Sequence, residues 1–251
     1  MAAHTLDGKV AVVAGGGKNL GGLISTGFAE AGAKVVVHHH SEASKADAEQ
    51  TADAIRTAGS AAVTVQGDLT QVDDVRRLFD VAVDEFGGVD VAINTTGMVL
   101  RKPIVETSED EYDRMFAINA KAAYFFLQEA GRRINDNGKI ISLVTALLAA
   151  FTDGYSTYAG GKAPLEHFTR AAAKEFADRC ISVNNIAPGP MDTPFFYPQE
   201  TPERVEFHKS QALGDQLTKI EDIEPLVRFL ATEGWWITGQ TIFANGGYTT
   251  R

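Results

Sequence analysis

Short apolar runs alternate with longer amphipathic segments along the whole chain. The apolar runs are rich in Val, Ile and Ala and predict strands at residues 9–14, 34–37, 61–65, 89–93, 138–144, 181–186 and 241–244. Between them, helical periodicity predicts a helix ending at Ala31 and further helices at 44–58, 72–86, 109–134, 158–177 and 221–232. Continuously apolar strands are typical of a parallel sheet buried on both faces. The alternation therefore predicts one α/β domain over residues 1–251, a doubly wound parallel sheet with helices on both faces.

Composition narrows the class of protein. The 251 residues are 44% hydrophobic and carry a formal net charge of −10, which argues against a nucleic-acid-binding surface. Cys180 is the only cysteine, so an intrachain disulfide is excluded, as is common in a reducing compartment. No leader peptide and no apolar run of membrane-spanning length is present, so we expect a cytoplasmic protein without nucleic-acid or membrane partners.

A glycine-rich turn follows the first strand directly. Residues 15–22 read Gly-Gly-Gly-Lys-Asn-Leu-Gly-Gly and lead into the first helix. Backbone N–H groups at a helix N-terminus attract anions, and glycine lets a backbone come close to a ligand. The order of strand, turn and helix therefore predicts a pyrophosphate site. A merely tight turn is the alternative.

A tyrosine and a lysine four residues apart are the main candidates for chemistry. If a helix begins near Tyr158, Lys162 lies one turn later on the same face. An ammonium beside a phenol lowers the pKa of the tyrosine from its usual value of about 10, as a phenolic acid or base requires. Thr145, thirteen residues before Tyr158, adds a hydroxyl for a substrate oxygen. On this pattern alone, a surface helix with an ordinary Tyr and Lys remains the alternative.

Together these motifs resemble the short-chain dehydrogenase/reductase family of nicotinamide-dependent oxidoreductases, in a form like the 3-oxoacyl reductases. Gly15, Gly21 and the pair Tyr158 and Lys162 carry the likeness, in the family's order and spacing. The resemblance implies a Rossmann-type sheet and a homo-oligomer, commonly a tetramer. Asn19 stands where the family has glycine. Because Asn tolerates left-handed backbone geometry better than most residues, we expect Asn19 to hold the turn.

The resemblance also implies a set of residues that bind the dinucleotide. These residues are Gly15, Gly17, Lys18, Asn19, Leu20, Gly21, His39, His40, Ser41, Asp68, Leu69, Asn94, Thr95, Gly97, Tyr158, Lys162, Pro188, Gly189, Met191 and Thr193. Asp68 would contact the adenine, although a role at the start of the following helix is the alternative. Thr95 departs from the Asn that is usual in the family.

The end of the second strand predicts NADP(H) rather than NAD(H). An acidic residue usually holds the NAD ribose about 20 residues after the glycines, and this chain has histidines and a serine there instead. Lys18, with His40 and Ser41, is expected to meet the charge of a 2′-phosphate; a solvated loop lysine is the alternative. Adjacent histidines on an extended segment alternate between faces, so we predict no metal site.

By resemblance, four residues carry the catalytic roles. Tyr158 would protonate the developing alkoxide, and Thr145, in place of the usual Ser, would hydrogen-bond the same oxygen. Lys162 would lower the pKa of Tyr158 and bind the nicotinamide ribose. Asn119 is a mediocre helix former inside a predicted helix, and it would anchor a water that connects to Lys162. A solvent-facing asparagine is the alternative.

Residues 194–217 break the helical periodicity and carry several aromatic side chains. The family has a mobile lid over the substrate in this position, so we predict a substrate-lid insertion. An aromatic core or an oligomer contact is the alternative. The predicted substrate contacts are Met98, Leu147, Phe151, Phe195 and Phe196.

The sequence as a whole therefore predicts an enzyme. We expect reversible hydride transfer between NADP(H) and a ketone/alcohol pair, most simply the reduction of an apolar-flanked ketone or a 3-oxoacyl thioester. The competing hypothesis is a non-catalytic dinucleotide-binding sensor or scaffold. The departures from the family pattern at Asn19, Thr95, Thr96 and Thr145 keep it open. Dehydratase or epimerase chemistry is disfavoured because the chain matches the reductase form throughout.

Overall fold

A computed structural model describes residues 5–250 as a seven-stranded sheet with helices on both faces. The strands are β1 (Val10–Ala14), β2 (Lys34–His39), β3 (Ala62–Gln66), β4 (Val89–Asn94), β5 (Ile134–Leu143), β6 (Ser182–Pro188) and β7 (Thr241–Ala244). All neighbours pair in parallel, in the order β3-β2-β1-β4-β5-β6-β7. The predicted doubly wound Rossmann-type fold is confirmed.

Helices cover the two faces of this sheet. They are α1 (Asn19–Glu30), α2 (Lys45–Thr57), α3 (Val72–Phe86), α4 (Glu109–Phe116), α5 (Ala122–Arg133), α6 (Ser156–Lys162), α7 (Pro164–Glu175), α8 (Pro202–Ser210) and α9 (Ile220–Ala231). Within residues 5–250, no helix is both long and apolar enough to cross a membrane.

The two largest hydrophobic clusters among residues 5–250 lie on opposite faces of the sheet. On one face, α3, α5 and α7 pack around Phe79 and Phe126, whose ring centroids lie 5.2 Å apart. On the other face, α1, α2 and α9 pack around Phe28 and Ile55. Every residue of β1 is buried, which explains why its sequence is continuously apolar rather than alternating.

Two predicted helices are interrupted in the structure. The helix predicted at 109–134 is wrong as a single element: Ala117–Lys121 form a π-helical turn between α4 and α5. The strand that follows also begins earlier than predicted, because Ile134 already pairs with Val89 of β4. The helix predicted at 158–177 divides into α6 and α7, because Pro164 has no N–H to continue the hydrogen-bond ladder.

The strand order reverses direction between β1 and β4. Crossovers from β1 lead outward to β2 and β3, whereas β4 begins the other half of the sheet. In open parallel sheets, this reversal leaves a crevice outside the carboxyl ends of the strands, where ligands bind. The glycine turn after β1, the turn after β4 and Thr145 after β5 all lie at this edge.

Candidate active site

A cleft of about 650 Å³ lies along the carboxyl edge of the sheet. It brings together most of the residues that the sequence singled out. The predicted residues that line it are Gly15, Gly17, Lys18, Asn19, Leu20, Gly21, His39, His40, Asp68, Leu69, Thr95, Gly97, Met98, Thr145, Leu147, Tyr158, Lys162, Pro188, Gly189, Met191, Thr193, Phe195 and Phe196. Asn94, Asn119, Ser41 and Phe151 do not line it.

The turn after β1 is shaped by left-handed backbone and by close approach. Gly15 has φ +76°, and a Cβ on Gly21 would lie only 2.1 Å from the Gly15 carbonyl oxygen. Asn19, the first residue of α1, has φ 47°. Asn19 therefore adopts the left-handed geometry expected of it. The compact turn leaves the helix N-terminus open toward the cleft, which fits a bound pyrophosphate.

The turn after β4 is fixed by side chains beneath the cleft. The Thr95 hydroxyl donates to the Ala14 carbonyl at 2.8 Å and so ties this turn to β1. Buried Asn94 accepts hydrogen bonds from the Thr96 N–H at 3.0 Å and from the Thr96 hydroxyl at 2.6 Å. The two threonines that depart from the family pattern thus stabilise the turn.

Lys162 is buried at the centre of the cleft, on the same helix as Tyr158. Its ammonium donates to the carbonyl oxygens of Thr96 at 3.0 Å and of Leu143 at 2.9 Å. Burial lowers the pKa of Lys162 to about 8. A Cβ on Gly97 would lie 3.0 Å from Nζ, so the glycine lets the turn after β4 close on the lysine.

The pKa of Tyr158 moves in the direction opposite to the sequence prediction. Burial disfavours the phenolate and raises the pKa of Tyr158 to about 12, while a hydrogen bond with the Thr145 side chain opposes the shift. The sequence predicted that Lys162 lowers this pKa; in this structure the ammonium is directed at two carbonyl oxygens, and burial decides the direction of the shift. Tyr158 keeps its proton at neutral pH.

Thr145, which lines the cleft, and Asn119, which does not, each hold a loop in place. The Thr145 side chain is buried and accepts a hydrogen bond from the Leu147 N–H at 3.2 Å, which caps the short helical turn Ala146–Leu148. Asn119 is fully buried within the π-helical turn, so the solvent-facing alternative is wrong. Its side-chain amide pairs with the N–H of Met98 at 3.1 Å and the carbonyl of Met98 at 2.8 Å.

At the far end of the cleft, the chain after β2 is arranged differently from the prediction. His40 is exposed, with Nδ1 3.9 Å from a carboxylate oxygen of Asp68. Ser41 does not line the cleft; the Ser44 hydroxyl donates to the Ser41 carbonyl at 2.9 Å, and Ser44 lines the cleft instead. The turn that this hydrogen bond closes directs Ser41 away from the cleft and leaves Ser44 as a lining residue. Among residues 5–250, no cluster of three or more potential ligands is arranged for a metal ion.

Lys18 and Asp68 each have a protein partner in this region. The Lys18 ammonium forms an exposed ion pair with Asp47 at 2.8 Å. Asp68 accepts hydrogen bonds from the Thr70 N–H at 3.0 Å and the Thr70 hydroxyl at 2.8 Å, as in the alternative role just before α3. Asp68 also lines the cleft, so the two roles predicted for it are compatible.

The other end of the cleft is apolar and aromatic. Phe195 lies beside Tyr158, with ring centroids 6.3 Å apart, and Met98 and Leu147 line the same region. Phe151 is not brought into the cleft. It lies in an irregular exposed segment before α6, where its side chain is fully exposed.

Sequence reasoning missed a polar group at this aromatic end. Tyr155, Gln199, Glu200, His208 and Tyr248 all line the cleft. Tyr155 had a usable signal, because it lies three residues before Tyr158 and so on the same side of a helix. The others come from α8, its approach and the chain beyond β7, and no motif connects them.

Comparison with known proteins identifies the class to which this fold and site belong. The family model described as enoyl-(acyl carrier protein) reductase matches residues 15–249. A short-chain type dehydrogenase/reductase from Picea abies is 34% identical over 253 residues, with 96% of this chain and 93% of that protein covered. The chain belongs to the short-chain dehydrogenase/reductase family, as the sequence motifs predicted.

Solved structures agree with this assignment. A protein from Burkholderia cenocepacia described as a dehydrogenase, with NADP bound, is 56% identical and has a TM-score of 0.98, with 100% of this chain and 97% of that chain covered. The angucycline C-6 ketoreductase LanV with bound NADP is 30% identical, with a TM-score of 0.90 and coverage of 98% and 97%. The chain is therefore an oxidoreductase of this family by sequence and by fold.

Proposed function

We propose that this protein is an NADP(H)-dependent carbonyl reductase that interconverts a ketone and a secondary alcohol. The observation that carries the proposal is the convergence of Tyr158, Thr145 and Lys162 on one cleft, between a glycine cradle and an apolar wall. An apolar-flanked ketone, including a 3-oxoacyl thioester, suits this wall. A purely structural sensor is not favoured, because such a protein has no need of a protonated phenol beside a buried lysine.

The cofactor supplies the hydride in reduction and accepts it in oxidation. Tyr158 donates its proton to the substrate oxygen as alkoxide charge develops, and its high pKa keeps that proton in place until then. Thr145 donates a hydrogen bond to the same oxygen. Lys162 directs two of its three N–H donors at carbonyls, which leaves the third for the nicotinamide ribose.

Asn119 takes a positioning role in this proposal. Its amide fixes the Met98 backbone, and its Oδ1 lies 3.1 Å from the position that a Cβ on Gly97 would occupy. It thereby holds the turn after β4 against Lys162. In the same proposal, Asn119 anchors a water that connects to the Lys162 ammonium.

The choice of NADP(H) rests on charge and on similar proteins. The strand end after β2 carries histidines where an acidic residue would repel a 2′-phosphate. The similar proteins from Burkholderia cenocepacia and LanV were crystallised with NADP, and a blue fluorescent protein from a metagenomic library was crystallised with NADPH. His39, His40 and Lys18 would face the phosphate end of the cofactor.

Residues 194–217 would act as a lid on the substrate end, and the protein would assemble as a cytoplasmic homo-oligomer. Phe195 and Phe196 of this segment line the cleft, which supports the lid. Exposed apolar side chains elsewhere, including Trp236 at 82% exposure, are suited to contacts between subunits. Light scattering of the purified protein would test the assembly, and a monomer at micromolar concentration would contradict it.

A substrate panel tests the main proposal directly. Purified protein is mixed with NADPH and a series of ketones and 3-oxoacyl thioesters, and oxidation is followed by absorbance. Turnover of at least one apolar-flanked ketone, lost in Tyr158→Phe, is the expected result. Tight NADPH binding with no turnover of any carbonyl compound would instead support a sensor or scaffold.

A further inference from the structure

A buried polar network closes the aromatic end of the cleft. Glu200 is its centre: one carboxylate oxygen accepts from the Tyr155 hydroxyl and from His208 Nε2 at 3.1 Å. The other accepts from Arg204 Nε at 3.0 Å. His208 Nδ1 lies 2.9 Å from the Tyr248 hydroxyl. The side chain of Glu200 is completely buried.

Charge in this region is already balanced without a proton on His208. Glu200 and Asp153 are the carboxylates, and Arg101 and Arg204 are the guanidinium groups that contact them. A charged imidazole would add an unmatched positive charge to a buried site, which is costly. We therefore treat His208 as neutral, with its proton on Nε2 facing Glu200.

This charge state fixes the direction of each hydrogen bond. A carboxylate only accepts, so the Tyr155 hydroxyl must donate to Glu200. Nδ1 of a neutral His208 that donates from Nε2 can only accept, so the Tyr248 hydroxyl must donate to it. Both phenols have thus used their only proton. What they offer to the cleft is acceptor lone pairs.

Gln199 supplies the opposite kind of group. Its side-chain oxygen accepts from the backbone N–H of Arg101 at 3.0 Å, which assigns the other end of the amide as NH₂. Because Gln199 lines the cleft, this NH₂ is a donor on the same wall as the two phenolic acceptors. A hydroxyl both donates and accepts, and it matches such a wall. An ether oxygen cannot donate to the phenols, and an alkyl group matches neither kind of partner.

We propose that the substrate is a hydroxylated ketone whose hydroxyl group binds at Tyr155, Tyr248 and Gln199 while its carbonyl lies at Tyr158. The rings of Tyr155 and Tyr158 meet edge to face with centroids 6.3 Å apart, so the two tyrosines lie side by side in the cleft. Phe195 and Phe196 cover the apolar body between the two polar ends. This inference rests on the proposed ketone reductase function and specifies its substrate class.

Matched sets of ketones test this inference. Each set contains an unsubstituted ketone, its hydroxy derivative and its methoxy derivative, on cyclohexanone and 1-tetralone frames with the substituent at several positions. For at least one position, kcat/KM for the hydroxy compound is expected to exceed that for the methoxy compound by about tenfold, the effect of one well-made hydrogen bond. Equal kcat/KM values across all positions would overturn the inference, whatever the variants do.

Three variants locate the effect. Tyr248→Phe and Tyr155→Phe each remove one phenolic acceptor. Because the substrate hydroxyl has one proton to donate, at least one of the two variants should reduce the hydroxy/methoxy ratio of kcat/KM from about tenfold towards one. Tyr197→Phe is the matched control, because this lid tyrosine donates to Asp192 at 2.6 Å and does not line the cleft. Its ratio should equal that of the wild type. An unchanged ratio in both Tyr248→Phe and Tyr155→Phe would contradict the assigned site.

Failure of the proposed function would be recognised separately. If no ketone of any set is reduced with NADPH, the reductase proposal is contradicted. Calorimetric titration of the NADPH-loaded protein with the hydroxy and methoxy compounds then decides the inference. Preferential binding of the hydroxy compound, weakened in Tyr248→Phe, supports it; equal binding overturns it.

Discussion

The backbone N–H of Gly15 donates to the imidazole Nδ1 of His38 at 3.1 Å. The other ring nitrogen of His38 donates to the Gly67 carbonyl at 2.9 Å. These two bonds fix the imidazole as the neutral tautomer with its proton on Nε2. The buried ring joins the glycine turn after β1 to the end of β3, so a histidine outside the predicted site residues positions the cofactor cradle.

Stability should fall with decreasing pH because of His38. Burial lowers the pKa of His38 to about 4 from 6.5. Between pH 4 and pH 6.5, His38 binds protons more readily in the unfolded chain than in the folded chain. The stability that the neutral, buried imidazole contributes is therefore fully present above pH 6.5 and is lost as the pH falls towards 4. This residue should reduce the free energy of unfolding by about 2 kcal/mol between pH 7 and pH 5, measured by urea denaturation.

Two glutamine variants isolate this effect. His38→Gln does not titrate, so it should lose about 2 kcal/mol less than the wild type over the same pH range, although it is less stable at pH 7. His167→Gln, on the exposed side of α7, is the matched control, and its pH slope should equal that of the wild type. The same pH slope in wild type and His38→Gln would show that His38 does not set it.

Removing the Tyr158 hydroxyl should abolish most of the activity. Tyr158→Phe keeps the ring that packs near Phe195 and removes only the proton donor. We expect kcat to fall on the order of 10²-fold or more, with NADPH affinity nearly unchanged. Steady-state kinetics and fluorescence titration measure the two effects. Tyr112→Phe, on the exposed face of α4, is the control, and more than half of wild-type kcat in Tyr158→Phe would exclude this residue as the acid.

Substitution of Thr145 should separate hydrogen bonding from shape. Thr145→Val preserves the shape but removes a donor to the substrate oxygen, at an expected cost of about 2.7–4 kcal/mol in kcat/KM. It also removes the cap on the Leu147 N–H, so stability should fall by about 1 kcal/mol. Thr145→Ser keeps both interactions and should remain active. Wild-type kcat/KM in Thr145→Val would mean that another group holds the oxygen.

The fold was largely predictable because strands buried on both faces have a recognisable sequence pattern. A parallel strand such as β1 is apolar throughout, and a glycine turn with Gly15 at positive φ can be recognised from residue type alone. The interruptions were harder to predict. In the π-helical turn, Asn119 pairs with the Met98 backbone, a contact between distant parts of the chain that helical periodicity does not reveal.

Site residues that are close together in the sequence could be predicted, whereas residues that only folding brings together could not. Tyr158 and Lys162 are one helical turn apart, so sequence alone places them together. The raised pKa of Tyr158 required knowledge of burial, which the spacing does not give. The network around Glu200 joins residues far apart in the chain, such as Arg101 and Gln199, which are 98 positions apart, and only the folded chain brings them together.

Lys18 and Asp47 carry opposite charges at the end of the cleft where we expect the 2′-phosphate to bind. Their ion pair of 2.8 Å is exposed, so it contributes little to stability and either partner can be changed without loss of the fold. Both residues line the cleft. A bound 2′-phosphate would therefore meet one favourable and one unfavourable charge.

Cofactor affinity should respond to these two charges in opposite directions. Lys18→Ala removes the attractive charge and should weaken NADPH binding by about 1.5–3 kcal/mol, with little change for NADH, which has no 2′-phosphate. Asp47→Asn removes the repulsive charge without changing the shape, so it should tighten NADPH binding and leave NADH unchanged. Fluorescence titration of both cofactors measures these changes in affinity, with Lys45→Ala as the control because Lys45 pairs with Glu42 and does not line the cleft.

Wild-type protein that binds NADH more tightly than NADPH would overturn the assigned cofactor preference. Equal losses for both cofactors in Lys18→Ala would show that the lysine does not distinguish them.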